Sequence, residues 1–306
     1  MKLSTADLLI LSELAITAAY QAGEIISKSN NRSIEVSTKT GGSSLASTVV
    51  TEVDLLCQDI ILQTLATSCK TYALAILTEE MPDSLERLQK DFFWCIDPLD
   101  GTLPFIESTS GYAVSIALVS RQGIPYIGII YDPLGKTLYH AIKNYGAFKN
   151  NQNWTLPTSA KSQDFFFIND RSFKQHHLFE PVLTAMKRII TQLGYNQLNT
   201  ILHGGAAMNA CWGLENSPAC YFKFPKQDNG GGSLWDYAAS ACIYTEIGAF
   251  VSDIFGNPLA LNQPDSTFMN QKGVLFCSDK AIAEQIIYLF SQLQQYQNVP
   301  TKHEEL

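Results

Sequence analysis

The sequence predicts a layered α/β protein with an α+β first half and an α/β second half. Three observations carry that expectation. Apolar residues recur at helical spacing over residues 5–29 and again over 53–68. Short β-branched and aromatic runs, split by turn residues, then fill residues 92–156. Beyond about residue 163 the apolar runs alternate with helical patterns.

The elements follow in order. Ser4-Thr5-Ala6-Asp7 reads as a helix cap, and Leu8, Leu11, Ala15, Ala18 and Ala22 form one face of a long helix ending near Ser29. Residues 30–50 are rich in Ser, Thr, Gly and Asn and read as a loop carrying Lys39. A second helix runs from about Val53 to Ser68, with Asp54 in its first turn, where the helix dipole favours a negative charge. A short strand, Ala73–Leu77, ends in Thr78-Glu79-Glu80, and polar residues 82–90 follow as a loop or short helix. The buried strand Phe92–Ile96 comes next, ending where Pro98 turns the chain. Strands over 112–120, 124–131, 138–142, 147–149 and 154–156, with turns between them, make an antiparallel meander.

The polar stretch 157–163 is the expected boundary between a domain of residues 1–160 carrying a metal motif and a domain of 161–306 completing the substrate site. In the second part, strands start near Phe165, Gln197, Cys220, Ala249 and Val274, and helices near Gln175, Gly205, Ser233 and Lys280. The tail after Tyr296 is polar and expected to fray.

Composition narrows the function. A chain of 306 residues that is 46% hydrophobic and 16% charged is a globular protein, not a disordered or fibrous one. A net charge of −8 without a dense Lys/Arg block argues against a nucleic-acid partner. Seven scattered cysteines without a Cys-x-x-Cys pair suit reduced thiols of a cytoplasmic protein. Ser12 and Glu13 interrupt the first apolar stretch, so neither a signal peptide nor a membrane span is expected.

The chemistry concentrates in Trp94-Cys95-Ile96-Asp97-Pro98-Leu99-Asp100-Gly101-Thr102, where two carboxylates and a hydroxyl converge at the tip of a buried strand. Carboxylates that close repel unless a proton or a cation lies between them. The stretch therefore reads as a divalent-cation site for phosphate chemistry, against the plainer reading of a capping Asp and a turn Asp. Glu79 and Glu80 end a neighbouring strand and read equally as a solvated acidic loop or as part of that site. Asp236, three residues after Ser233, makes an ordinary capping box, although the preceding Gly230-Gly231-Gly232 argues for a close backbone approach. Gly204, Gly205 and Ala206 open a helix whose bare amides suit a phosphate or, equally, tight helix packing.

Asp97-Pro98-Leu99-Asp100-Gly101-Thr102 resembles the signature of the inositol monophosphatase-like superfamily of magnesium-dependent, lithium-sensitive phosphatases. Glu79-Glu80, Thr51-Glu52-Val53-Asp54, Gly204–Asn209 and Trp235–Ala239 are similar to its other elements, in family order across nearly the whole chain. The resemblance implies alternating α-β-α-β-α layers and a homodimer. It implies that Glu79, Asp97, the Leu99 carbonyl, Asp100 and Asp236 hold two or three Mg²⁺ ions, with Li⁺ as an inhibitor. It further implies that Glu79 and Thr102 orient and deprotonate the attacking water, with Asp54 holding the Thr102 hydroxyl. The substrate would lie against Asp100, Gly101, Thr102, Gly204, Gly205, Ala206 and Asp236.

The implied activity is hydrolysis of a small phosphorylated metabolite, an inositol monophosphate or similar polyol phosphate. The alternatives are 3′-phosphoadenosine 5′-phosphate, as in bisphosphate nucleotidases, and a catalytically silent binding protein. The chain departs from the family at Thr78, in the Lys39–Asp54 segment and at Leu103-Pro104-Phe105-Ile106, which matches neither branch. The acidic residue that the family places before Trp-Asp has only Asp228 as a candidate here.

Overall fold

The computed structural model describes residues 2–29, 36–38, 49–156 and 164–297. The expected Lys39 loop, the 157–163 boundary and the end of the polar tail lie outside them. Helix α1 (Thr5–Ser29) starts in the expected cap: the Ser4 amide donates to Asp7 Oδ2 (2.8 Å) and the Asp7 amide to Ser4 Oγ (3.2 Å). By length and composition α1 could cross a membrane, but here Leu8, Leu11, Ala15, Ala18 and Ala22 are buried in the core. Strands β1 (Val36–Thr38) and β2 (Val49–Thr51) pair antiparallel, and helix α2 (Glu52–Thr71) starts directly after β2.

Strands β3 (Ala75–Thr78) and β4 (Phe92–Asp100) come next, then the short helix α3 (Thr102–Ile106). Strands β5 (Ala113–Ser120), β6 (Pro125–Asp132), β7 (Thr137–Ile142), β8 (Gly146–Lys149) and β9 (Gln152–Asn153) complete a seven-stranded sheet in chain order. The meander is antiparallel as expected from β4 onward, but β3 runs parallel to β4. Residues 79–91 are long enough for the crossover that parallel neighbours require. The last strand falls at Gln152–Asn153 and not at 154–156. Asn150 and Asn151 take left-handed φ values of 49° and 61°, which closes the hairpin in two residues.

The second half supplies β10 (Phe165–Ile168), α4 (Phe179–Gln192), β11 (Leu198–Ile201), α5 (Ala206–Glu215), β12 (Ala219–Lys223), α6 (Leu234–Ile247), β13 (Phe250–Ser252), β14 (Val274–Cys277) and α7 (Lys280–Gln297). Helix α4 starts later than expected, because extended backbone at His176 (ψ 138°) separates it from a 3₁₀ turn over Arg171–Gln175. The second sheet has the order β11-β10-β12-β14-β13, parallel across its first three strands and antiparallel thereafter.

Side-chain alternation stacks these parts into five layers. Trp94 and Ile96 of β4 face α1 and α2, whereas Phe93 and Cys95 face α5 and α6. On β12, Tyr221 faces α5 and α6, while Cys220 and Phe222 face α4 and α7. The order is thus α1/α2, first sheet, α5/α6, second sheet, α4/α7. Gly128 on β6 sets the close approach of α6: a Cβ there would stand 2.3 Å from the Ala239 carbonyl oxygen.

One buried ion pair lies outside the sheets and has no counterpart in the sequence reading. Arg87, 1% exposed, donates to Asp83 (2.8 Å), to Asn262 Oδ1 (2.6 Å) and to the Gln263 carbonyl (2.9 Å). It ties the β3–β4 connection to the segment after β13. Truncation strands Asp83 and two acceptors, so Arg87→Met should lower stability by about 3 kcal/mol in urea unfolding.

His140 on β7 is stacked on Phe148 and holds Asn151 through Nε2 (3.1 Å). Burial disfavours its imidazolium and lowers its pKa below 6.5, with the Asn151 bond and Glu13 of α1 opposing. The unfolded chain therefore takes up the proton first as pH falls. The stability due to the neutral ring is present above 6.5 and lost between 6.5 and the lowered folded value. In His140→Phe, the urea midpoint should fall less steeply over that window than in the unaltered protein.

Candidate active site

Two carboxylates three residues apart point to opposite faces of a regular strand. In β4 they do not. Asp97 stands opposite Ser115 and Asp100 opposite Ala113, so three steps on β4 match two on β5. This one-residue bulge turns Asp97 and Asp100 to the same face, toward α5 and α6. It also corrects the expectation that the strand stops at Ile96, since the irregular pairing accommodates Pro98, which has no N–H for a ladder. The Leu99 amide donates to Asp97 Oδ1 (3.0 Å) and holds that carboxylate in place.

Gly101 follows with φ +86°, a conformation open to glycine, and an added Cβ would stand 2.6 Å from the Gly111 carbonyl oxygen. The turn delivers Thr102 at the start of α3. Its hydroxyl lies 3.3 Å from Asp54 Oδ1 and 3.4 Å from the Leu99 carbonyl oxygen. Asp54 is itself fixed by the Thr51 amide (2.9 Å) in the capping box of α2.

Asp236 arrives from α6. Its capping box with Ser233 forms as the sequence suggested, with the Ser233 amide donating to Asp236 Oδ2. The glycine run before it has positive φ throughout (130°, 74° and 92°), and at Gly232 the absent Cβ makes room for the Tyr237 ring. The Tyr237 hydroxyl donates to the Gly231 carbonyl (2.5 Å). Ligand atoms of Asp97, Asp100 and Asp236 lie within 4.8 Å of one another.

Glu79 and Glu80, half-buried, begin the connection after β3. The Glu79 amide donates to the Ile96 carbonyl (3.1 Å), which places Glu79 beside Asp97, yet its carboxylate stands outside the three-carboxylate cluster. The amides at the start of α5 are engaged: Ala206 N donates to Asp100 Oδ1 (3.1 Å) and Ala207 N to Oδ2 (2.7 Å). A Cβ on Gly205 would stand 2.6 Å from that carboxylate, and the Gly205 amide donates to the Gly111 carbonyl (2.7 Å). Gly205 and Ala206 therefore border the site through Asp100, whereas Gly204 packs against Asn209 and Trp212.

Electrostatics follow from burial. Asp97 and Asp100 are 1% and 5% exposed. Burial first, then the charge of Asp236, raises the Asp100 pKa far above the carboxylate range, against the two α5 amides and Lys223. Asp236 is raised by its own burial, with Lys223 opposing. Such a cluster is stable when a proton or a cation shares it. Buried, closely spaced carboxylate oxygens are the hard donors that Mg²⁺ takes, so the residues present fit that ion.

Sequence reasoning missed Lys223. At the end of β12 it pairs with Asp170 (2.7 Å), whose other oxygen accepts from Asn209 Nδ2 (3.1 Å). Burial opposes its charge, but Asp170, Tyr237 and Asp236 outweigh that and raise its pKa. The available signal was a lysine inside the aromatic run Tyr221-Phe222-Lys223-Phe224.

Comparison with known proteins places this geometry. A family model described as "Inositol monophosphatase family" matches residues 7–295. The chain is 29% identical over 273 residues to Nus factor SuhB of Vibrio cholerae, covering 89% of this chain and 94% of that one. It is 30% identical over 223 residues to the 3′(2′),5′-bisphosphate nucleotidase CysQ of Salmonella typhimurium, covering 72% and 82%. The solved Thermotoga maritima IMPase shares the fold with a TM-score of 0.70 at 20% identity, covering 93% and 98%. The chain belongs to the inositol monophosphatase family.

Proposed function

We propose that this protein is a Mg²⁺-dependent phosphomonoesterase that hydrolyses a small phosphorylated metabolite. The observation that carries the reading is the trio Asp97, Asp100 and Asp236 within 4.8 Å, the first two buried and the third half-buried, whose mutual repulsion a shared cation would relieve. Those three, with Glu79 and the Leu99 carbonyl, would hold two or three Mg²⁺ ions. Held there, such ions would supply charge to polarise the phosphate, lower the pKa of a bound water and stabilise the leaving alkoxide.

The remaining work falls to the chain itself. Asp54 accepts from the Thr102 hydroxyl, which leaves the Thr102 oxygen lone pairs to take a hydrogen bond from the attacking water. Glu79, beside Asp97, serves as the base for that water. The Gly101 and Thr102 amides cradle the phosphate, and attack is in line, without a phospho-enzyme. Gly204, Gly205 and Ala206 would shape the substrate wall, Ala206 by donating its amide to Asp100 and Gly205 by leaving room for that carboxylate. We further propose a division at about residue 160 into a metal-bearing and a substrate-completing domain. Lithium inhibition, a cytoplasmic location, a homodimer and the lack of a nucleic-acid partner belong to the same proposal; sedimentation of the full chain reads the dimer.

Polyol phosphates, with inositol monophosphate first, are the leading substrates. One observation favours 3′-phosphoadenosine 5′-phosphate instead. Lys223 places a half-buried ammonium, paired with Asp170, near Asp100, where a second anionic group on the substrate would meet it.

Two experiments follow. Asp97→Asn keeps the oxygen that accepts from the Leu99 amide but removes a charge. It should cut phosphate release by roughly a thousandfold, leave the fold intact by circular dichroism and abolish the Mg²⁺-induced rise in thermal midpoint. Full activity in that variant would overturn the site.

A panel of inositol monophosphate and 3′-phosphoadenosine 5′-phosphate, read as phosphate released with and without lithium, assigns the substrate. Lys223→Met should raise KM for the nucleotide about tenfold and leave the polyol phosphate little changed. An inactive protein on both substrates with Mg²⁺ present points to the silent binding protein.

A further inference from the structure

A cavity of about 370 Å³ opens at the Phe92 end of β4, away from the carboxylates. Five strand steps separate Phe92 from Asp97, about 17 Å at 3.3 Å per residue. The volume lies within the range of small-molecule pockets, about 300–1,000 Å³. No residue of its lining belongs to the candidate active site.

The lining has three chemical parts. Phe92 and Tyr126 meet edge to face, with ring centroids 5.0 Å apart and an interplanar angle of 85°, and present an aromatic wall. Lys2 and Lys143 bring two ammonium groups, and Lys143 Nζ lies 5.2 Å from the Tyr126 ring centroid. Asp91 is the carboxylate of the lining, and it is ion-paired with Arg121 (3.6 Å). Ser120, 3% exposed, accepts from the Ile124 amide (3.1 Å), so its hydroxyl proton remains for an acceptor on a guest.

We propose that this cavity is a second binding site, for a small organic anion that carries a flat ring. The anionic head sits between Lys2 and Lys143, and the ring lies against Phe92 and Tyr126. An ammonium already over an aromatic face gains from a ring anion, because the guest adds a charge partner without displacing the aromatic contact. A simple anion lacks the aromatic contact, and an uncharged ring leaves the lysines unanswered. The site is separate from the phosphatase reading and stands whether or not that reading holds.

The test is calorimetric titration of the full chain in Mg²⁺ buffer with phenylphosphonate, which joins a ring to an anion and resists hydrolysis. Inorganic phosphate and benzyl alcohol are the two half-probes. Phenylphosphonate should bind saturably and at least about tenfold tighter than either half-probe in the Asp97→Asn protein, where the carboxylate cluster is disabled. Lys143→Glu and, separately, Lys2→Glu should weaken it about tenfold while leaving phosphate release unchanged. If Lys143→Glu lowers the thermal midpoint, Lys143→Gln replaces it. Binding that vanishes in Asp97→Asn would place the probe at the carboxylates and overturn the proposal. So would affinity unchanged by both lysine substitutions, or the absence of saturable binding.

Discussion

Three carboxylates within 4.8 Å of one another, Asp97 and Asp100 buried and Asp236 half-buried, hold the rest of this structure in place around them. Each is unfavourable alone, since desolvation and mutual repulsion oppose its charge. Each is accordingly held by a separate backbone device. Asp97 is fixed by the Leu99 amide inside the β4 bulge, Asp100 by two amides of α5, and Asp236 by the cap of α6. The protein spends its helix starts on its own carboxylates, and the resulting charge cluster is what a divalent cation would satisfy.

That arrangement explains the middle layer. Helices α5 and α6 lie between two sheets and must also bring their first turns to the tip of β4. Small residues on both faces make the approach close: Ala206, Ala207 and Ala210 on α5, and Ala238, Ala239 and Ala241 on α6, are buried. Gly128 of β6 and Gly111 before β5 remove the side chains that would hold the helices off, the second because a Cβ there would stand 2.7 Å from Gly204 Cα. Lys223 then supplies a fixed positive charge from the second sheet, which lowers the cost of keeping Asp100 and Asp236 together.

Much of the fold was legible from local pattern. The caps at Ser4 and Ser233 are spelled within four residues each, and the unbroken apolar run Phe92–Ile96 reports a strand buried on both faces. Three misreadings in the first sheet share one cause. The stop at Ile96, the all-antiparallel sheet and the late final strand each depended on how one strand pairs with another. A proline inside a strand looks like an end until a bulge accommodates it. The glycines before Trp235 announced a close approach, and at Gly232 the partner is Tyr237, a residue of the following helix.

Local sequence is enough to specify the groups that carry the chemistry and the caps and turns around most of them. Asp97, Asp54 and Asp236 are each oriented by a backbone amide two or three residues away, so neighbours in the chain decide their geometry. Only the tertiary structure decided which of them meet. Asp100 takes its amides from a helix 106 residues away, Lys223 finds Asp170 from another strand, and Arg87 reaches Asn262 across 175 residues. Those contacts depend on the stacking order of five layers, which side-chain alternation permits but does not specify.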